Sequence, residues 1–153
     1  MAQSDSLTVS RIINAPVEVV WAVATNLRGA PETLSGVTRV EVLDGPDFGV
    51  GTRWRETRTM MRQESTEELE LTAVTPMSSY VVEAESRGVH YVSTFTFTPI
   101  ADSRTEVTMT FTGTPTAPQN AVARLMGRIG IRMVRKTLEQ DLADLARAAE
   151  ARG

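Results

Sequence analysis

Residues 116–150, TAPQNAVARLMGRIGIRMVRKTLEQDLADLARAAE, decide the reading of the fold. The stretch has no proline after Pro118. Ile131, Val134, Leu138, Leu142, Leu145 and Ala149 recur every three or four positions, which places them on one stripe of an α-helix. Thr116-Ala117-Pro118-Gln119 has the Thr-x-x-Gln form of a capping box at its start. One continuous helix of this length would run about 50 Å. The glycines Gly127 and Gly130 are therefore expected to bend it or to split off a first piece. No other segment reads as a comparably long helix, and its stripe must be buried against something. Upstream, the chain offers only a sheet.

Leu7 and Val9 alternate against Thr8 and Ser10 in a first strand over 7–13, with the inward side at Ile12 and Ile13 left open. Asn14-Ala15-Pro16 ends it, and Pro16 suits the first helical position. Val17, Val20, Trp21 and Ala24 then share a face of a short helix, followed by a second helical turn broken by Gly29, Pro31 and Gly36. From Val37 the pattern becomes β, with strands expected over 37–43, 51–62, 63–74, 80–86, 89–98 and 105–113. Turn chemistry such as Asp44-Gly45-Pro46-Asp47 and Arg87-Gly88 separates them. Consecutive strands with short links make an antiparallel meander. In 63–74, Leu69, Leu71 and Ala73 alternate against Glu68, Glu70 and Thr72. One face of the sheet, rich in Thr, Glu and Ser, is wet; the apolar face needs the helix as its cover. The expected class is α+β: a seven-stranded antiparallel sheet curled around a long C-terminal helix, with two short helices after the first strand.

The composition, 41% hydrophobic and 23% charged over 153 residues, fits one globular domain, with residues 1–6 flexible. The polar N-terminus and the absence of a long apolar run point to a cytoplasmic protein with no integral membrane segment. A net charge of −3 argues against nucleic-acid binding. No cysteine and a single histidine leave no thiolate chemistry and no expected metal site or cofactor. Phosphate loops, nucleophile elbows and dinucleotide fingerprints are absent from the sequence.

Local sequences add a resemblance. Ile13-Asn14-Ala15-Pro16-Val17-Glu18-Val19-Val20-Trp21, Gly36-Val37, Gly51-Thr52-Arg53, Thr94-Phe95-Thr96-Phe97-Thr98-Pro99, Thr105-Glu106-Val107-Thr108 and the closing Leu138-Glu139-Gln140-Asp141-Leu142-Ala143-Asp144-Leu145 punctuate nearly the whole chain. In this order of elements they resemble the START/Bet v 1-like (SRPBCC) helix-grip superfamily, in its polyketide cyclase/dehydrase and lipid-transport branch. That resemblance implies a hydrophobic cavity between sheet and last helix. It leaves the chemistry open, because carriers, cyclases, dehydratases and chaperone regulators share the fold.

Inward positions nominate a ligand-binding lining: Trp54, Met60, Tyr80, Val82, Tyr91, Ser93, Phe95, Phe97, Met109 and Phe111 from the sheet. Met126, Gly127, Gly130, Val134 and Leu138 join them from the helix, with the mouth expected beside Met126 to Gly130. The same alternation would describe a filled core. Glu56 and Arg58 fall on the Trp54 face of their strand. If that face is concave, an acid and a base stand together in an apolar pocket, and with Tyr91 they are the candidate catalytic residues. The opposite register would make them a surface salt bridge. His90 lies on the opposite face from Tyr91 and reads as a surface residue. Arg124, Arg128, Arg132 and Lys136 form an i, i+4 series that is either a solvated face or a docking surface for an anionic partner. The leading expectation is binding of a small hydrophobic or aromatic molecule. The alternatives are an aromatase/cyclase- or dehydratase-type enzyme and a protein-interaction module. Monomer and homodimer are both left open.

Overall fold

The computed structural model describes residues 5–60, 62–116 and 121–152, side chains at 5, 60 and 121–129 excepted. Strands β1 (Asp5–Ile13), β2 (Val37–Asp44), β3 (Arg53–Met60), β4 (Gln63–Thr75), β5 (Ser79–Ser86), β6 (Val89–Ala101) and β7 (Arg104–Pro115) form one sheet in the order β1-β7-β6-β5-β4-β3-β2. All pairs are antiparallel. Helices α1 (Val17–Ala24) and α2 (Ala30–Thr33), with a 3-10 turn between them, link β1 to β2, and α3 (Ala121–Arg152) follows β7. β1 already pairs at Asp5 and Ser6, with Gly113 and Thr112, so these two residues belong to the sheet rather than to a loose terminus.

Pro16 stands one residue before α1 rather than inside it, in extended conformation, and its carbonyl accepts from Val19 N and Val20 N. Ala15 and Ile13 are buried, and Ile12 points out, which settles the side left open in the sequence. Thr105, fully buried, donates to the Ala15 carbonyl at 2.9 Å and pins the start of α1 to β7. The Asp44–Thr52 connection is equally tight. Gly45 has φ +87°, and a Cβ there would meet Gly51 O at 2.6 Å, so only glycine fits. Thr52, fully buried, donates to Pro46 O at 2.7 Å and accepts from Gly49 N at 3.0 Å.

The outer face of the sheet is polar. Thr8 meets Thr110, Ser10 meets Thr108, and Arg55 joins Glu41 and Glu68. His90 sits here too, 2.8 Å from Glu83. The inner face carries the core, with Leu7, Val9, Leu71, Phe97, Val107 and Met109 packed toward Leu138, Leu142, Leu145 and Ala149 of α3. One expectation fails in β4. The register shifts between Leu71 and Ala73, a bulge at Thr72. Beyond it Val74 packs against the core and Ala73 is exposed, the one-residue flip that a bulge imposes.

α3 runs unbroken over its 32 residues, with no separate first piece at the glycines. The capping box falls on residues of which 117–120 lie outside the described chain. Thr116 itself donates its amide to Gly88 O at 2.8 Å. No described helix is long and apolar enough to cross a membrane.

Candidate functional site

Between the inner face of the sheet and α3 lies a cavity of about 550 Å³, within the usual range for small-molecule sites. Most of its wall is apolar. Trp54, Tyr80, Val82, Phe95, Met109 and Phe111 line it from the strands, as do Tyr91 and Ser93. Gly130, Val134 and Leu138 line it from α3, and a Cβ on Gly130 would meet nothing within 4 Å, so this glycine leaves open space. Val23, Leu27 and Leu34 of the α1–α2 segment, with Phe48, border the hollow as well. Phe97 is not on the wall: it is buried in the core, its ring 5.1 Å from Trp21. The side chains of Met60 and Met126, and Gly127 beyond its helical backbone, lie outside the described residues.

An aromatic cluster stiffens the Phe48 side. Tyr80 stacks on Phe95 at 4.4 Å and meets Phe48 and Trp21 edge-on at 5.1 and 5.9 Å. Such pairs add to simple burial. Trp54 is buried, and its indole Nε1 has no hydrogen-bond partner among the described residues.

The polar part of the wall centres on Arg58. Its Nε donates to Glu56 Oε2 at 2.9 Å, while Nη1 and Nη2 donate to Asp141 Oδ1 and Oδ2 at 3.1 and 2.8 Å. β3 thus presents Glu56 and Arg58 inward, in the register with Trp54 on the concave face. Asp141, on the buried stripe of α3, completes a carboxylate–guanidinium–carboxylate bridge from sheet to helix. Burial alone would lower the Arg58 pKa, but Asp141 and Glu56 outweigh it and raise the value, so the cation is held. For Asp141, burial raises the carboxyl above its ordinary range, and the facing guanidinium offsets this only in part. Arg58 keeps its charge between the two carboxylates. Burial, with Asp141 and Glu56 behind it, also raises the Tyr80 phenol, which stays a protonated donor.

Tyr91 lines the same cavity from β6. It stacks on Phe111 at 5.3 Å, and its pKa is raised by burial and by Glu67, with Arg87 acting against them. The sequence pair Glu56–Arg58 is assembled, and Asp141, unnamed in the sequence reading, joins it. A second missed acid lies one turn on. Asp144, fully buried, accepts from Ser35 N and Ser35 Oγ at 2.8 Å each, from Gln140 at 3.0 Å and from Arg147 at 2.8 Å. Burial acts to raise its pKa, but these hydrogen bonds outweigh it and lower the value. Asp141 was legible, since it stands three after Leu138 and four before Leu145, beside the apolar stripe.

No group of His, Cys, Asp and Glu among the described residues has the arrangement of a metal site. Of the basic series, Arg132 and Lys136 are exposed on α3, and Arg124 and Arg128 have side chains outside the described residues.

A seven-stranded antiparallel sheet gripping one long C-terminal helix, with two short helices after the first strand, defines the helix-grip class. The chain belongs to the polyketide cyclase/dehydrase and lipid transport family, whose profile matches residues 4–150, and with it to the wider SRPBCC group. Among solved structures, the Zhui aromatase/cyclase from Streptomyces sp. R1128 is similar with a TM-score of 0.83 at 17% identity, over 98% of this chain and 96% of that one. A protein of Thermus thermophilus gives 0.80 at 22% identity, over 97% and 99%. Norcoclaurine synthase of Thalictrum flavum, in complex with a transition-state analogue, gives 0.78 at 13% identity, over 99% and 98%. Identities this low carry the fold and no more. None of the curated proteins matches the chain.

Proposed function

We propose that this chain, acting as a single domain, binds a small, largely apolar or aromatic molecule, lipid- or polyketide-like, in the cavity between sheet and α3. The observation that carries the reading is a hollow of about 550 Å³ whose apolar wall is interrupted by one ordered polar bridge, Glu56–Arg58–Asp141. Apolar burial supplies affinity at roughly 25 cal/mol per Å², and the polar groups set orientation. The test is titration with N-phenyl-1-naphthylamine, a neutral dye that fluoresces on leaving water. Saturable binding is expected in the wild type, and Ser93→Trp, which projects an indole into the hollow, is expected to abolish it while the thermal melt stays cooperative. Dye binding that is absent, or indifferent to Ser93→Trp, would refute the reading.

A second reading, cyclisation or dehydration of a polyketide-like chain, is favoured by Asp141. It is a buried carboxyl with a raised pKa on the cavity wall beside a fixed cation, the arrangement a proton-transfer group needs. Asp141→Asn would then keep dye binding but stop the protein from exchanging deuterium into the α-carbon of a β-diketone. Exchange no faster than in buffer for the wild type would leave binding alone.

A further inference from the structure

The polar wall continues past Arg58. Glu67 of β4 is the register partner of Glu56 and also lines the cavity. Paired residues on one face of an antiparallel sheet place their Cβ atoms about 4.5–5.5 Å apart, so the two carboxylates adjoin. Glu67 Oε1 accepts from Ser86 Oγ at 3.1 Å, with Ser65 Oγ at 3.5 Å. Among the described residues no hydrogen bond reaches its other oxygen, Oε2, or Oε1 of Glu56.

An arginine in a pocket suggests capture of a ligand's acid group. Here both edges of its fork are taken, one by Glu56 and one by Asp141. One guanidinium faces two carboxylates and Glu67 adds a third, so with formal charges this described part of the inner wall carries an excess of negative charge. Arg87, the other cation on the lining among the described residues, stands exposed in the β5–β6 turn, where water screens it.

We infer that the cavity sorts apolar ligands by their polar group, taking one with a phenolic or enolic hydroxyl that donates to Glu67 and Glu56, and rejecting a carboxylate of the same shape. The inference rests on the ligand-binding reading above and names its substrate class. A hydroxyl meets a free anionic acceptor away from bulk water, where a charge-assisted bond is strong. A carboxylate would be desolvated beside like charges, a cost that the neutral indole N–H of Trp54 offsets only in part. An ammonium would satisfy the acceptors but loses far more hydration than a hydroxyl on entering an apolar hollow.

The experiment is equilibrium dialysis of the full chain at pH 7 with three matched probes: 2-naphthol, 2-methoxynaphthalene and 2-naphthoate. Naphthol is expected to bind about tenfold tighter than its methyl ether, the worth of one hydrogen bond to a charged group, and naphthoate weakest of the three. Glu67→Gln, which keeps the size of the side chain, is expected to shrink the naphthol preference to within about threefold and to improve naphthoate. Naphthoate binding as tightly as naphthol in the wild type would overturn the inference, and so would a naphthol preference untouched by Glu67→Gln. Equal binding of naphthol and its ether sinks this inference and leaves the cavity reading standing. Binding of none of the three, nor of the neutral dye, removes both. The wild-type ranking does not depend on how the variant folds.

Discussion

Replacing Arg58 by methionine keeps most of the side chain's apolar stem and removes the charge that Glu56 and Asp141 share. The side chains of Arg58, Glu56 and Asp141 are 21, 16 and 10% exposed, so little water is at hand to replace the guanidinium. Removing one partner of a buried ion pair costs about 3–5 kcal/mol, because the charge left behind is unpaired. The open cavity beside the cluster argues for the lower end, about 3 kcal/mol. For a chain of this size that lowers Tm by roughly 6–12 °C. The loss depends on pH with a definite sign. Without Arg58, nothing offsets the burial that already raises Asp141 above its ordinary 3.8. A carboxyl whose folded pKa is raised destabilises the fold above that folded value and ceases to do so below its unfolded value. The deficit of Arg58→Met should therefore shrink as pH falls from the still higher folded pKa of Asp141 in the variant to its raised folded pKa in the wild type. Adding Asp141→Leu removes one of the two stranded charges and should recover part of the loss, Glu56 remaining unpaired. Urea denaturation followed by circular dichroism at pH 7 and pH 4.5, over the four members of the cycle, measures all of this. A loss below 1 kcal/mol for Arg58→Met at pH 7 would refute the reasoning. So would a double variant no more stable than the single one, since the bridge would then not be what holds those carboxylates in the wall.

Two further outcomes follow from buried polar groups away from the cavity chemistry. Asp144→Asn, which leaves two of the four donors facing an amide NH2 instead of an acceptor, should cost about 2 kcal/mol at pH 7. Because the Asp144 pKa is lowered from 3.8, its contribution is complete above that value and is lost as pH falls through the folded pKa. Urea midpoints taken from pH 7 to pH 2 should thus converge for wild type and variant, and a constant gap would contradict the assignment. Thr52→Val removes the hydroxyl that ties Pro46 O to Gly49 N inside the Asp44–Thr52 connection, and should cost about 2 kcal/mol while speeding amide exchange at Gly49. Unchanged protection at Gly49 would show that the backbone holds that connection unaided.

The fold was legible because its two periodicities are long and clean. Tyr91, Ser93, Phe95 and Phe97 keep a period of two along β6, and Leu138, Leu142, Leu145 and Ala149 keep the helical period along α3. Burial of an apolar face is set by such patterns whatever the details. Failures occurred where a local backbone choice outweighs them. Ala73 continues the alternation of Leu69 and Leu71 perfectly on paper, yet the bulge at Thr72 turns it outward. Gly127 and Gly130 suggested a bend or a separate first piece; glycine only lowers the cost of such a break, and no separate piece forms, since α3 is one helix from Ala121 to Arg152.

The site was harder to read than the fold for a related reason. Polarity in a sequence does not say whether a charged residue is solvated or paired, and pairing joins positions far apart. Glu56 and Arg58 were found because parity tied them to Trp54; Asp141 is 83 residues from Arg58, and no local pattern links the two. What the sequence does contain is an anomaly, two aspartates within the turns of an otherwise apolar stripe. An acid in such a place either breaks the helix–sheet contact or meets a donor, because a lone buried carboxylate is too costly to keep. Two acids on α3 therefore require two donor sets on whatever it packs against. Arg58 on the concave face is one, and Ser35 at the head of β2, with Gln140 and Arg147 of α3 itself, is the other. The two ties differ in what lies beside them. Asp144 is enclosed by its partners, and its job is finished by its hydrogen bonds. Asp141 and Arg58 border an open hollow, in a place where apolar residues of the same volume would serve stability as well or better. On the proposed reading, a polar bridge that borders the cavity is there for the ligand that enters it.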